Sequence, residues 1–359
     1  MRIQAARKLL EEKGMDAAFI ASPANIRYLS GFAGTDSYMY LSGRKQVILT
    51  DSRYTLQAEE EGEECEVRTI KGDRVYGVLL KELLEEDKVS CLGFEDNAMT
   101  WQTVKKLQNA AGDGKEEERW VPLGESLSLL RAVKDEDELE KLACAEQIGD
   151  EAFSYILTQI KPGVTELEIA AKLEYYMKSH KAQEKSFDTI AASGLHSAMP
   201  HAVPSEKVLE KGDFLTLDFG CRYQGYCSDM TRTVVIGKAS EKQKEIYNIV
   251  LEAQEAALFG LRAGMTGAEG DSLARKVIEK AGYGEYFGHG LGHSVGLEIH
   301  ERPALSSKDD TILRPGMIET VEPGIYIPGF GGVRIEDMVV ITEDGIKNLT
   351  GSPKELIEL

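Results

Sequence analysis

No Cys-x-x-Cys pair occurs among the five cysteines (Cys65, Cys91, Cys144, Cys221 and Cys227), which excludes a zinc-ribbon site. Their odd number and scattered spacing favour reduced thiols over a disulfide framework. No apolar run approaches the roughly 18 residues that a membrane-spanning helix needs. The N-terminus, MRIQAARKLLEEKGMD, is an amphipathic charged helix pattern without the apolar stretch or small-residue cleavage site of a secretory signal. Positive charge is scarce: 42 Lys and Arg stand against 61 Asp and Glu, a formal charge of −19. Phosphate binding needs a basic surplus on one face, so nucleic acid and anionic membrane are excluded as partners. Together these absences point to a cytoplasmic protein.

At 359 residues the chain is too long for one ordinary core and short for three, so two domains are expected. Up to about Ala110, strand patterns such as DAAFIAS and VSCLGFE alternate with helical ones, as in a small α/β layer domain. SPANIRYLSGFAG (Ser22 to Gly34) reads as a loop, and the charged run GKEEER (Gly114 to Arg119) as a solvated turn. Leu123 to Val133 reads as a connector. Beyond it, a long helix from Asp135, the turn Pro162-Gly163-Val164-Thr165 and a second helix precede an acidic hairpin. The same order returns with a long helix from Ser240 and the turn Ala263-Gly264-Met265-Thr266, 101 residues after the first turn. This is an internal duplication of two copies, too few for a solenoid, and it predicts a closed pseudo-symmetric domain with both hairpins at its centre.

Each hairpin reads as a strand, a glycine-rich bend and a returning strand. FLTLDFGCRYQGYCSDMTRTVVIG carries Asp218 and Asp229, and TVEPGIYIPGFGGVRIEDMVVI carries Glu322 and Glu336. Four carboxylates inside apolar strands are costly to bury without a counter-charge, and a bound cation supplies one. Between the hairpins, GHGLGHSVGLEIHERP holds three of the six histidines. The candidate ligand set is therefore Asp218, Asp229, Glu322, Glu336 and one imidazole. Two divalent cations would neutralise it. Its hardness favours manganese, with cobalt, iron or zinc as substitutes. Two cations about 3.5–4 Å apart can share a bridging water and lower its pKa, so the reaction class is metal-assisted hydrolysis. The spacing His289-x-x-x-His293 imitates a helical zinc pair, but the flanking glycines disfavour a helix and no Glu follows His289. Gly288, Gly290 and Gly292 also have the wrong spacing for a dinucleotide loop.

SGLHSAMPHAVPS, DFGCRYQGYCSDMTRT, GHGLGHSVGLEIHERP, TVEPGIY and GGVRIEDMVVI, in that order, resemble the signature segments of the proline-specific metallopeptidases of the pita-bread fold. These are the Xaa-Pro aminopeptidases and Xaa-Pro dipeptidases (prolidases). RYLSGFAG with TDSRYTLQA is similar to the creatinase-like N-terminal domain of the same family. The resemblance implies an α/β N-terminal domain over residues 1–128 and an α+β, pseudo-two-fold pita-bread catalytic domain over residues 129–359. Carried over position by position, it implies two divalent metal ions, Mn2+ first. Asp218 would be bidentate on one metal, Asp229 and Glu336 would bridge both, and His293 and Glu322 would complete the other. Glu322 would also relay a proton, with His201 near the scissile carbonyl. His289 and His300 would line the substrate pocket, His300 with a catalytic share, and Arg334 would contribute to substrate binding and orient carboxylates. His196 departs from the family pattern, which has Asn there. The implied partners are small proline-containing peptides and a second copy of the chain in a homodimer. An Xaa-Pro aminopeptidase is the first expectation and an Xaa-Pro dipeptidase the alternative. A non-catalytic binding module and a metal-free creatinase-like hydrolase are both disfavoured by the complete ligand set.

Overall fold

Asp, Ser or Thr caps followed three residues later by Glu or Gln set four of the helices. Asp135/Glu138, Thr165/Glu168, Ser240/Gln243 and Thr266/Glu269 each form a reciprocal capping box at a helix start. The computed structural model describes residues 2–73, 75–112 and 119–359 and divides into two compact units, Met1–Arg131 and Ala132–Leu359. Most of the charged run from Gly114 lies outside the described residues.

In the first unit the elements are α1 (Arg2–Glu12), β1 (Ala17–Ile20), α2 (Pro23–Ser30), β2 (Tyr38–Ser42), β3 (Gln46–Thr50), α3 (Thr55–Glu61), β4 (Glu66–Thr69), α4 (Tyr76–Glu86), β5 (Leu92–Phe94), α5 (Trp101–Ala111) and β6 (Trp120–Pro122). The sheet order is β4-β3-β2-β1-β5-β6. Strands β1 and β5 pair in parallel, whereas β1, β2 and β3 form an antiparallel meander. The segment read as a loop contains α2. Ser22 caps it by accepting from Asn25 N–H, and Pro23 occupies the first turn, where its missing N–H costs nothing.

The second unit carries the duplication. Its first half contains α6 (Glu136–Leu157), α7 (Glu166–Ser179), β7 (Glu184–Lys185), β8 (Ile190–Ser193), β9 (Phe214–Phe219), β10 (Cys221–Tyr223), β11 (Tyr226–Cys227) and β12 (Met230–Val235). Its second half contains α8 (Glu241–Gly260), α9 (Gly267–Lys280), β13 (Gly292–Ser294), β14 (Glu301–Leu305), β15 (Ile318–Val321), β16 (Gly324–Ile327), β17 (Gly331–Arg334), β18 (Asp337–Ile341) and β19 (Ile346–Asn348). Strands β9 and β12 pair antiparallel in one half, as β15 and β18 do in the other. What reads as a bend in each hairpin is a smaller hairpin, β10–β11 or β16–β17. Each half buries its own apolar cluster between helix pair and ribbon, with Phe153, Leu173, Leu217 and Val234 in one and Val250, Ile278, Val321 and Val339 in the other. Even the turns correspond. Gly163 (φ +94°) and Gly264 (φ +86°) take the left-handed conformation that favours glycine, and Thr165 and Thr266 each form an isolated bridge, to Val208 and Ile312.

Arg232 joins the ribbons to the C-terminal segment. Its side chain is 1% exposed and donates to Asp337 Oδ1 (2.8 Å) and to the carbonyls of Glu336, Ser352 and Pro353. Removing Arg232 leaves Asp337 only Lys354 and Asn348 on its other oxygen and takes the donor from the buried carbonyls of Glu336 and Ser352, so Arg232→Met is expected to lower the unfolding free energy by about 3–5 kcal/mol. Denaturant titration measures this, and a loss below about 1 kcal/mol would contradict it. Among the described residues no helix is long and apolar enough to cross a membrane.

Candidate metal centre

The ribbon register carries the four carboxylates to one place. Asp218 stands opposite Thr231 in the β9–β12 pair, and Asp229 immediately precedes β12. Glu322 follows β15, and Glu336 precedes β18. The two ribbons are stitched together between these positions: Glu336 N–H donates to Thr231 O (3.0 Å), Thr231 Oγ1–H to Glu336 Oε2 (2.6 Å) and Thr233 Oγ1–H to Arg334 O (2.9 Å). As a result Asp229, His293 and Glu336 each offer a ligand atom within 4.8 Å of one another. His293 Nε2 also lies 3.5 Å from Glu322 Oε1 and 3.4 Å from Asp229 Oδ2. Asp218 is turned toward Arg334, whose Nη2 donates to its Oδ2 (2.5 Å). Its Oδ1 is buried with no hydrogen-bond partner among the described residues.

Electrostatics makes this cluster expensive as it stands. Burial first, and then the charges of Glu336, Asp218 and Glu322, hold the Asp229 carboxyl well above its usual range. Burial, Glu322 and Asp218 do the same to Glu336. Glu322 is pushed up to about 7, chiefly by burial, with Asp218 adding to it and Arg334 opposing. Burial pulls His293 down to about 4, so its imidazole is neutral. Its Nδ1–H faces Ser294 O (3.1 Å), which leaves the Nε2 lone pair directed at carboxylate oxygens. A cation between them turns that opposition into coordination. The unpartnered Asp218 oxygen, the neutral imidazole and the hard oxygen donors all fit a divalent metal.

The cluster forms one wall of a cavity of about 760 Å³ that His201, His289 and His300 also line. His300 packs edge-on to His293, ring centroids 4.5 Å apart. His289 has both nitrogens engaged: Nδ1 with Gly290 O (2.8 Å) and Nε2 with Tyr326 Oη (2.9 Å). Arg334 lines the cavity too, but its side chain is 3% exposed and its Nη2, Nη1 and Nε donate to Asp218, Tyr326 Oη (2.8 Å) and Thr231 Oγ1 (3.1 Å). His180 stays away from the site, stacked on Tyr176 with Nδ1 on that residue's carbonyl.

Four further residues at the site escape sequence reasoning. Tyr326 joins Arg334 to His289, Thr231 supports Glu336, and Thr320 Oγ1–H donates to Glu322 Oε1 (3.1 Å). Glu146 of α6, fully buried, accepts from Asp229 N–H (3.4 Å) and Thr350 Oγ1–H (2.6 Å), and burial pushes its carboxyl up to about 8. The β-alternation around Asp229 and Glu322 is the signal that finds Thr231 and Thr320, each two residues away; nothing local marks Glu146.

Residues 140–343 match Metallopeptidase family M24, and residues 2–133 match the Creatinase/Prolidase N-terminal domain. The chain is 41% identical to the Xaa-Pro dipeptidase of Pyrococcus furiosus, with 99% of each chain covered. It is similar to the solved Xaa-Pro dipeptidase from Bacillus anthracis (45% identity, TM-score 0.95, 100% of this chain and 99% of that one). It is also similar to the X-Pro aminopeptidase from Thermotoga maritima (41% identity, TM-score 0.90, 98% and 100%). With the duplicated ribbons, the converging acids and both matched segments in agreement, the chain belongs to metallopeptidase family M24, a metal-dependent hydrolase with a creatinase-type domain ahead of a pita-bread domain.

Proposed function

We propose that this protein is an Xaa-Pro dipeptidase that hydrolyses the bond between a first residue and proline, using two divalent cations, Mn2+ preferred, held by Asp218, Asp229, His293, Glu322 and Glu336. The observation that carries this reading is the convergence of those five side chains on one wall of a 760 Å³ cavity. The order expected from sequence, aminopeptidase before dipeptidase, is reversed because Xaa-Pro dipeptidases from several organisms are similar to this chain over nearly its full length. We assign the chemistry to residues 129–359.

The bound cations supply Lewis acidity and make water nucleophilic near neutral pH. Everything else falls to the chain. Glu322, on the cavity wall and steadied by Thr320 Oγ1–H, is assigned to accept the proton of the attacking water and return it to the proline nitrogen, which leaves as a secondary amine. His201 and His300, on the cavity wall, are assigned to the scissile carbonyl and the oxyanion that forms from it. His289 shapes the pocket, and Arg334 orients Asp218 rather than holding substrate. An Xaa-Pro bond has no amide hydrogen, so a peptidase that binds its substrate as an added strand loses a contact there; a closed pocket does not need it. The five free cysteines support a cytoplasmic location, and the family resemblance supports a homodimer.

The size of the cavity and the similarity to a solved X-Pro aminopeptidase favour one second reading, cleavage of longer peptides. Rates on Ala-Pro and Ala-Pro-Ala with Mn2+ separate the two. A dipeptidase cleaves Ala-Pro at least about tenfold faster, a difference of about 1.4 kcal/mol in barrier. The opposite ratio establishes the aminopeptidase, and cleavage of neither contradicts both.

A further inference from the structure

The cavity wall that carries His201 is a loop whose two ends meet on a single buried carboxylate. Glu166, the first residue of α7, is 0% exposed. Its Oε1 accepts from Ser193 N–H (2.7 Å) and Ser193 Oγ–H (2.8 Å), where the chain leaves β8. Its Oε2 accepts from Ser205 N–H (3.1 Å) and Ser205 Oγ–H (2.7 Å), where the loop returns. A fifth donor is His196, whose Nδ1 lies 3.2 Å from both oxygens. This is the position at which the sequence departs from the family's Asn. The donors hold the Glu166 carboxyl below its usual range despite burial, which keeps it an anion. Between the two anchored ends, Ser197 Oγ accepts from Gly332 N–H (2.9 Å) in β17, two residues from Arg334. Lys207 Nζ adds a further tie, donating to Ser193 Oγ (2.9 Å) and Asp213 Oδ2 (2.6 Å).

We propose that Glu166 is the positioning residue of the His201 loop, clamping Ser193, His196 and Ser205 on one carboxylate so that His201 is held at a fixed place on the cavity wall. The proposal rests on the reading that His201 faces the scissile carbonyl. An amide cannot replace the carboxylate. Whichever way Gln is turned, its N–H2 group confronts the N–H of Ser193 or Ser205, and one end of the loop is released. A displacement of about 1 Å at a substrate-positioning group costs on the order of 10²-fold in rate.

The test is a double-mutant cycle on Ala-Pro hydrolysis with Glu166→Gln, His201→Ala and the pair, alongside bound Mn2+ per chain. Expected is a loss of about 10²-fold in kcat for Glu166→Gln with metal content unchanged, and a double variant no slower than His201→Ala alone, because both act through one imidazole. Multiplying losses, or wild-type kcat in Glu166→Gln, overturns the clamp. Full activity in His201→Ala overturns the reading of His201 instead. Should Glu166→Gln fail to fold, the half-exposed His196 decides. His196→Asn, which keeps a donor, should stay within about threefold of wild type, whereas His196→Leu should fall about tenfold, the worth of one hydrogen bond to a charged group. Equal rates for those two variants contradict the proposal.

Discussion

Glu336→Gln is expected to leave a folded protein whose kcat/KM falls by at least about 10³-fold and which no longer takes up a full complement of metal. Lewis-acid and water-activating terms are worth several kcal/mol of transition-state stabilisation, and about 4 kcal/mol is a thousandfold. The backbone at this position is held without the carboxylate: its N–H bonds Thr231 O, and its carbonyl accepts from Arg232 Nη1. Loss of activity therefore reports on the side chain and not on the ribbon. The variant also carries an inverted stability signature. In metal-free protein Glu336 either repels Glu322 and Asp218 or holds a proton that the unfolded chain releases, and Gln does neither, so the chelated variant should be more stable than chelated wild type. With metal, the order reverses. Activity within tenfold of wild type, or a normal metal count, contradicts the assignment.

Chelation should destabilise the wild-type protein increasingly as pH rises above about 6.5. In the metal-free fold Asp229 and Glu336 are raised well above their ordinary values, and Glu322 to about 7. Folded protein thus holds protons that unfolded chain has released. Their contribution is fully present below the unfolded carboxyl pKa and is lost as pH rises through the folded values. His289 and His293, both pulled down to about 4, act in the opposite sense, adding stability as pH climbs toward their unfolded value of about 6.5. Above that pH only the carboxyl terms remain, so a net fall in stability is expected between about 6.5 and 8.5. Metal binding needs the ionised ligands and strengthens over the same range. The gap in Tm between Mn2+-loaded and chelated protein should therefore widen from pH 6.5 to 8.5. A constant or narrowing gap means that the carboxylates do not share one centre.

The duplication is legible because both copies repeat a local code. Thr165 with Glu168 and Thr266 with Glu269 start equivalent helices, and the 104-residue offset between Asp218 and Glu322 survives in the ribbons. The acidic positions are legible because a carboxylate within β-prone apolar sequence breaks the pattern. Helix α2 is hidden because Ser22, Pro23 and Gly31 read as loop punctuation, although the first two start the helix and Gly31, at φ +81°, ends it. The inner hairpins are hidden for a similar reason, β11 being only two residues long. Glu146 and Glu166 look like ordinary solvent-facing acids of amphipathic helices. Only the tertiary arrangement buries them against Asp229 and the His201 loop, and no periodicity within α6 or α7 carries that information.

The central claim is that two copies of one ribbon bring four carboxylates and an imidazole around divalent metal. An anomalous-difference map from crystals grown with Mn2+ addresses it directly. Two peaks bounded by Asp218, Asp229, His293, Glu322 and Glu336 are the expected result; density elsewhere, or none within reach of these five side chains, would contradict it.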